Sequence, residues 1–220
     1  MADRHFLKHM RDPMIQDQPI QQFLDELASK SATPGGGSAA AIMGAMGAAL
    51  VGMVCNLTVG KKNYEAVEAE MAEVLARAEA LRAQSMDLIR ADIEAFDRVM
   101  AAYALPRATE EDKAARGNAI QEALKAATEA PLACARLCVD IIDLSQIAAA
   151  KGNRNVVSDA GVAVMAAYAA LKSAALNVYV NAKGVKDEAF ARDCVNRLDA
   201  LLKEGEAKAD AIFAAVKANL

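Results

Sequence analysis

The chain has 220 residues, 55% hydrophobic and 25% charged, with a formal net charge of −4. That is enough apolar surface for a sizeable core, and with no cationic run longer than Lys61-Lys62 the basic face of a nucleic-acid binder is excluded. Aromatic residues make up only 4%, Trp is absent and period-two runs of β-branched residues are missing, so the expected class is all-α.

Residues 1–19 read as a charged N-terminal arm and residues 20–220 as one helical domain without an internal linker. The arm holds both histidines, His5 and His9. Their i,i+4 spacing is also a ligand spacing, but a solvated arm is the simpler reading, and it leaves the folded body without a histidine base. The arm has no apolar core of the signal-peptide kind, and Cys55, Cys134, Cys138 and Cys194 all sit inside apolar helical patterns. Reduced, buried thiols and a cytoplasmic location are therefore expected. Cys134 and Cys138 share a helix face with no histidine nearby, so no metal site is expected.

Proline and glycine punctuation divides the domain into six helices at about 20–30, 37–59, 64–104, 110–151, 155–183 and 187–219. Pro131 should kink or break the fourth. After the first helix comes Thr33-Pro34-Gly35-Gly36-Gly37-Ser38, where proline fixes φ and the glycines permit close backbone approach. With Ser38 as an N-cap, the amides of the following helix would be aimed at a ligand's carboxylate, phosphate or carbonyl. The alternative is a loop that merely turns the chain. The loop is not a Walker motif, since no Gly-Lys-Ser/Thr follows it.

No charged residue separates Lys30 from Lys61, so the second helix is apolar all round. Such a helix is either a membrane span or the centre of a core; its polar ends and lack of aromatic anchors favour the core. In the third helix Val67, Met71, Val74, Ala78, Leu81, Ser85, Leu88, Asp92, Ala95, Val99 and Ala102 alternate steps of three and four, which is a packed seam. Helices this long suit a bundle of antiparallel helices that dimerises. Asp92 lies on that seam with Phe96 one turn later, so its carboxylate should be desolvated and its pKa raised unless a partner compensates. It is either a catalytic or cation-binding group, or a structural one paired with lysine or capping another helix. Asp97 turns away from the seam.

The fifth helix opens at Gly152-Asn153-Arg154-Asn155-Val156-Val157-Ser158-Asp159, more polar residues than caps alone require. Further along, Asn177 and Asn181 place two amides on an apolar face, and buried amides need partners.

The glycine loop and its Ala/Gly helix, Lys61-Lys62-Asn63-Tyr64, Asp92-Ile93-Glu94-Ala95-Phe96 and Asn153 to Asp159 together resemble the cyclodeaminase/cyclohydrolase family. That family comprises the C-terminal domain of formiminotransferase-cyclodeaminase and stand-alone methenyltetrahydrofolate cyclohydrolases. The resemblance spans about Pro19 to the C-terminus and implies an all-helical homodimer that binds folate near the subunit interface. It implies that the glycine loop, the Lys-Tyr turn and the Asp92 seam line a folate pocket, and with the amides picked out by their spacing the expected substrate contacts are Pro34, Gly35, Gly36, Gly37, Ser38, Lys61, Tyr64, Phe96, Asn155, Ser158, Asp159, Asn177 and Asn181. Asp92 would stabilise the cationic methenyl carbon or take a proton from water. Lys62 would hold an oxygen or shuttle a proton to N5, or with Lys61 meet the folate's glutamate tail; a solvated lysine pair is the plain alternative. Tyr64 would stack on the ligand or pack. No metal or redox cofactor is expected.

Within the family, hydrolysis of methenyltetrahydrofolate competes with loss of ammonia from formiminotetrahydrofolate. The chain's lack of room for a formiminotransferase domain favours hydrolysis. A folate-binding helical module without catalysis is the non-enzyme alternative, and a membrane-associated helical protein the third.

Overall fold

The computed structural model describes residues 18–220, so the histidines of the arm lie outside the described residues. Six α-helices and two single-turn 3₁₀ helices make up the described chain, and there is no strand among the described residues. The helices are α1 (Ile20–Leu27), α2 (Gly36–Asn56), α3 (Glu68–Ala104), α4 (Glu110–Lys151), α5 (Val157–Ala182) and α6 (Glu188–Ala218). The all-α expectation holds.

α2 is the hub because its residues are small. A Cβ on Gly44 would meet Ser85 of α3, Cys138 of α4 and Ala170 of α5 at 3.6 to 3.9 Å, so three helices close on one point of α2. α2 runs antiparallel to α3, with Gly37 against Asp92 and Gly52 against Glu79. It also runs antiparallel to α5, with Gly36 near Asn177 and Gly47 against Ala163 and Ala167. α6 covers the far side of the bundle, where Gly205 admits Leu171 and Ile142. It is pinned to α4 by the Lys125–Asp187 and Lys208–Asp143 ion pairs.

The seam of α3 forms largely as its spacing requires. Met71, Val74, Ala78, Leu81, Ser85, Ala95 and Ala102 are buried, Ile89 joins them, and Leu88, Asp92 and Val99 are half-buried. Burying each larger side chain stabilises the fold by roughly 1.5–3 kcal/mol.

Four local expectations differ from the structure. α4 continues unbroken through Pro131, which is itself buried, because packing over 42 residues holds the helix past one missing N–H bond. α1 ends at Leu27, before Lys30. α2 stops at Asn56, before Val59, where the chain turns toward Gly60 at φ +71°. Short 3₁₀ turns at Glu65–Val67 and Arg154–Val156 precede α3 and α5, each a tight first turn.

α2 and the segment Arg154–Ala182 are both long and apolar enough to cross a membrane by length and composition alone. Their apolar windows are 61% and 50% buried within the fold, as suits central helices of a bundle.

Candidate active site

α2 begins one residue earlier than its sequence suggests, with Gly35 as N-cap in an extended conformation and no side-chain cap of its own. Ser38 is therefore not the N-cap. It is the third residue of the helix, fully buried, and its hydroxyl donates to Asp92 Oδ2 at 3.0 Å. The Ser38 backbone N–H also points at this carboxylate. Asp92 thus caps α2 from a neighbouring helix, and an acidic group takes the place at the helix N-terminus that a ligand anion was expected to fill. The cap that α2 lacks in sequence arrives through space.

The contact depends on Gly37, because a Cβ there would overlap the Asp92 carboxylate, with Cγ at 2.5 Å and Oδ2 at 2.8 Å. Burial pushes the Asp92 carboxyl up from the ordinary carboxylate range, and the two Ser38 donors pull it back only in part. The result is a half-buried carboxylate held in one orientation by two neutral donors on Ser38. A cation or a proton supplied by a ligand would relieve the desolvation.

Around it the structure gathers some of the residues singled out above. Phe96 lies one turn along α3 and is 37% exposed. Asn177 faces the start of α2, its amide 3.8 Å from where a Gly36 Cβ would stand. Its Nδ2 donates back to Ser173 O at 3.0 Å. Pro34, after a cis peptide bond, is buried beneath the loop, while Gly36 is exposed and Gly35 half-buried. Asn181 has another duty, since its Nδ2 donates to Ala127 O on α4 at 2.6 Å and ties two helices together.

The remaining expected residues assemble at the opposite end of α2. Thr58, buried just past the helix, donates to Val54 O at 2.6 Å and accepts the Asn153 N–H at 2.9 Å. Asn153 Nδ2 donates to Leu57 O at 2.9 Å, and its Oδ1 accepts the Asn155 N–H at 3.1 Å. Tyr64 Oη accepts the Arg154 N–H at 3.0 Å, so Tyr64 here braces a backbone turn. Lys62, Asn155 and Ser158 are exposed beside this knot, and Lys61 and Asp159 are half-buried. The 21 residues of α2 separate the two clusters by roughly 30 Å at about 1.5 Å per residue. One chain alone therefore does not bring Lys61, Lys62 and Tyr64 to Asp92.

Thr58 and Asn153 organise the second cluster but were not singled out as site residues. The signal was a lone threonine at the end of an apolar helix and an asparagine beside Gly152, and neither names its partner. No group of three or more His, Cys, Asp or Glu side chains is arranged to hold a metal among the described residues.

The chain is a helical bundle whose central helix starts at a Gly-Gly-Gly-Ser turn capped by a remote aspartate. It belongs to the formiminotransferase-cyclodeaminase family, whose sequence model matches residues 19–200. It is 58% identical over 207 residues to methenyltetrahydrofolate cyclohydrolase of Methylorubrum extorquens, covering 94% of this chain and all of that one. The formimidoyltransferase-cyclodeaminase of Sus scrofa is 36% identical over 202 residues, of which the match spans 37% of the pig protein. The crystal structure of formiminotetrahydrofolate cyclodeaminase from Thermotoga maritima superposes with a TM-score of 0.79 at 33% identity, covering 94% of this chain and 97% of that one.

Proposed function

We propose that this chain is a methenyltetrahydrofolate cyclohydrolase, converting 5,10-methenyltetrahydrofolate to 10-formyltetrahydrofolate. The observation that carries the reading is the 58% identity, end to end, with a cyclohydrolase. The site chemistry supports it. The methenyl carbon bridging N5 and N10 is part of a cationic amidinium, and Asp92 is a desolvated carboxylate whose hydroxyl and amide donors on Ser38 are both neutral.

In the reaction, Asp92 takes a proton from water as the oxygen bonds to the methenyl carbon, which leaves a neutral tetrahedral adduct. The bond from that carbon to N5 then breaks, N5 gains a proton and the adduct hydroxyl loses one, giving the 10-formyl product and one proton released overall. Ser38 fixes the direction of the carboxylate, and Gly37 makes room for it. Phe96 and Asn177 flank the place where the folate ring would lie.

The second cluster enters through a second copy. α2 and its C-cap leave a solvent-facing, uncharged stripe of Met46, Ala49, Met53 and Leu57 that runs from the middle of the helix to its end. Two α2 helices packed antiparallel about Ala49 would set Gly37 opposite Lys61, each twelve residues from that point. Lys61, Lys62 and Tyr64 of one subunit would then approach Asp92 of the other, where Lys62 can deliver the proton to N5. A homodimer is the assembly this arrangement needs. Four free, buried cysteines suit a reducing cytoplasm.

The test follows the near-ultraviolet absorbance of methenyltetrahydrofolate with and without protein, beside ammonia release from formiminotetrahydrofolate. Loss of the methenyl compound without ammonia from the other supports the proposal. Ammonia release alone makes the chain a cyclodeaminase, and inactivity on both makes it a binding module.

A further inference from the structure

The face of α3 that carries Asp92 continues past it. α3 extends to Ala104, beyond the start of α2, and Phe96, Met100 and Tyr103 follow Asp92 at steps of four, four and three. That spacing places all four on one side of the helix. The three large side chains are 37%, 51% and 48% exposed, an apolar strip that begins at the carboxylate.

The strip ends on a cation. Arg116 of α4 lies with its guanidinium carbon 5.6 Å from the Tyr103 ring centroid. Its Nε and one terminal nitrogen donate to the Tyr103 carbonyl at 3.2 and 3.1 Å. Two of the five guanidinium N–H donors are thereby used, and the charge is kept. In the first turn of α4, Glu110 pairs with Lys113 at 2.7 Å and Asp112 accepts the Thr109 N–H at 3.0 Å.

We propose that this strip is the binding track for the aminobenzoyl-glutamate arm of the folate, with Arg116 holding a glutamate carboxylate. The inference rests on the cyclohydrolase reading, since it takes the reacting carbon to sit at Asp92. From Asp92 to Tyr103 the helix advances roughly 16 Å, and the arm from N10 to its terminal carboxylate measures roughly 12 Å by bond count. An arm that is aromatic in the middle and anionic at the tip matches a track that is apolar in the middle and cationic at the tip. Lys61 and Lys62, the other cations considered for the glutamate, lie at the far end of α2 in the same chain, and in the proposed dimer those of the second copy meet the reacting end of the folate at Asp92 and not its glutamate tip.

The test compares full-length protein on 5,10-methenyltetrahydrofolate and on the methenyltetrahydropteroate analogue, which lacks the glutamate. Arg116→Gln should raise KM for the first about tenfold, leave kcat within about twofold, and leave KM for the second unchanged. Arg116→Lys should recover most of the loss. Met100→Glu, which leaves the bonds to the Tyr103 carbonyl intact, should raise KM more for the glutamylated substrate, and it decides the matter if the Arg116 variants fail to fold. A KM that moves equally on both compounds, or on neither, overturns the track. Wild-type protein inert on both compounds overturns the cyclohydrolase reading and the track with it; wild-type activity without the KM split overturns the track alone.

Discussion

The sharpest perturbation the site offers is Gly37→Ala. The new Cβ would lie 2.5 Å from Asp92 Cγ and 2.8 Å from Oδ2, where ordinary contact begins near 3.4 Å, so the carboxylate must recede by about 1 Å. The Ser38 hydroxyl bond, now 3.0 Å, would then stretch past the limit for a hydrogen bond. Overpacking costs about 1–3 kcal/mol, and replacing glycine inside a helix returns up to about 1 kcal/mol, so the net loss of stability is small, about 1 kcal/mol. For a chain of this size that is about 2–4 °C in Tm. Activity should suffer far more, because a 1 Å misplacement of a reacting group costs about a hundredfold. The assay is steady-state hydrolysis of methenyltetrahydrofolate alongside thermal melting. Gly44→Ala is the control in the same helix, since its Cβ finds only ordinary contacts at 3.6 Å and beyond, and it should keep full activity with equal or greater stability. Wild-type kcat/KM in Gly37→Ala would refute the argument that Gly37 exists to seat Asp92.

Asp92→Asn should lower kcat at least a hundredfold without lowering Tm at neutral pH. Burial raises the folded-state pKa, so the charged carboxylate opposes folding as pH rises through and above the ordinary aspartate range, and an amide removes that opposition. A Tm drop of many degrees, or undiminished kcat, would contradict this. Met53→Asp, on the exposed stripe of α2, should shift the protein from twice the 23.2 kDa chain mass to the single-chain mass in light scattering and abolish turnover; a fully active monomer would remove the need for a second copy. Thr58→Val should cost about 1–3 kcal/mol in chemical denaturation, because the buried Asn153 N–H loses its acceptor. A change within a few tenths of a kcal/mol would mean that water or another group replaces the hydroxyl.

The sequence by itself determined the helices and their order. Glycine and proline mark the turns, and steps of three and four mark the buried face of α3, because these signals are local and chain sterics act within a few residues. It also picked out Asp92, since a carboxylate on an apolar seam is anomalous wherever the partner lies. Only the tertiary structure decided what Asp92 touches. Ser38 read as a cap for its own helix, yet its hydroxyl turns to a side chain 54 residues away, a choice set by how α3 crosses the start of α2. Likewise Asn181, one of two matching amides, is spent on a carbonyl of α4, while Asn177 stays near the site. The loop, lysine and aspartate motifs looked like one pocket because a sequence carries no distances. A helix of 21 residues holds the lysine motif apart from the loop and the aspartate within one chain, and a rigid helix cannot be shortened by any property of its side chains.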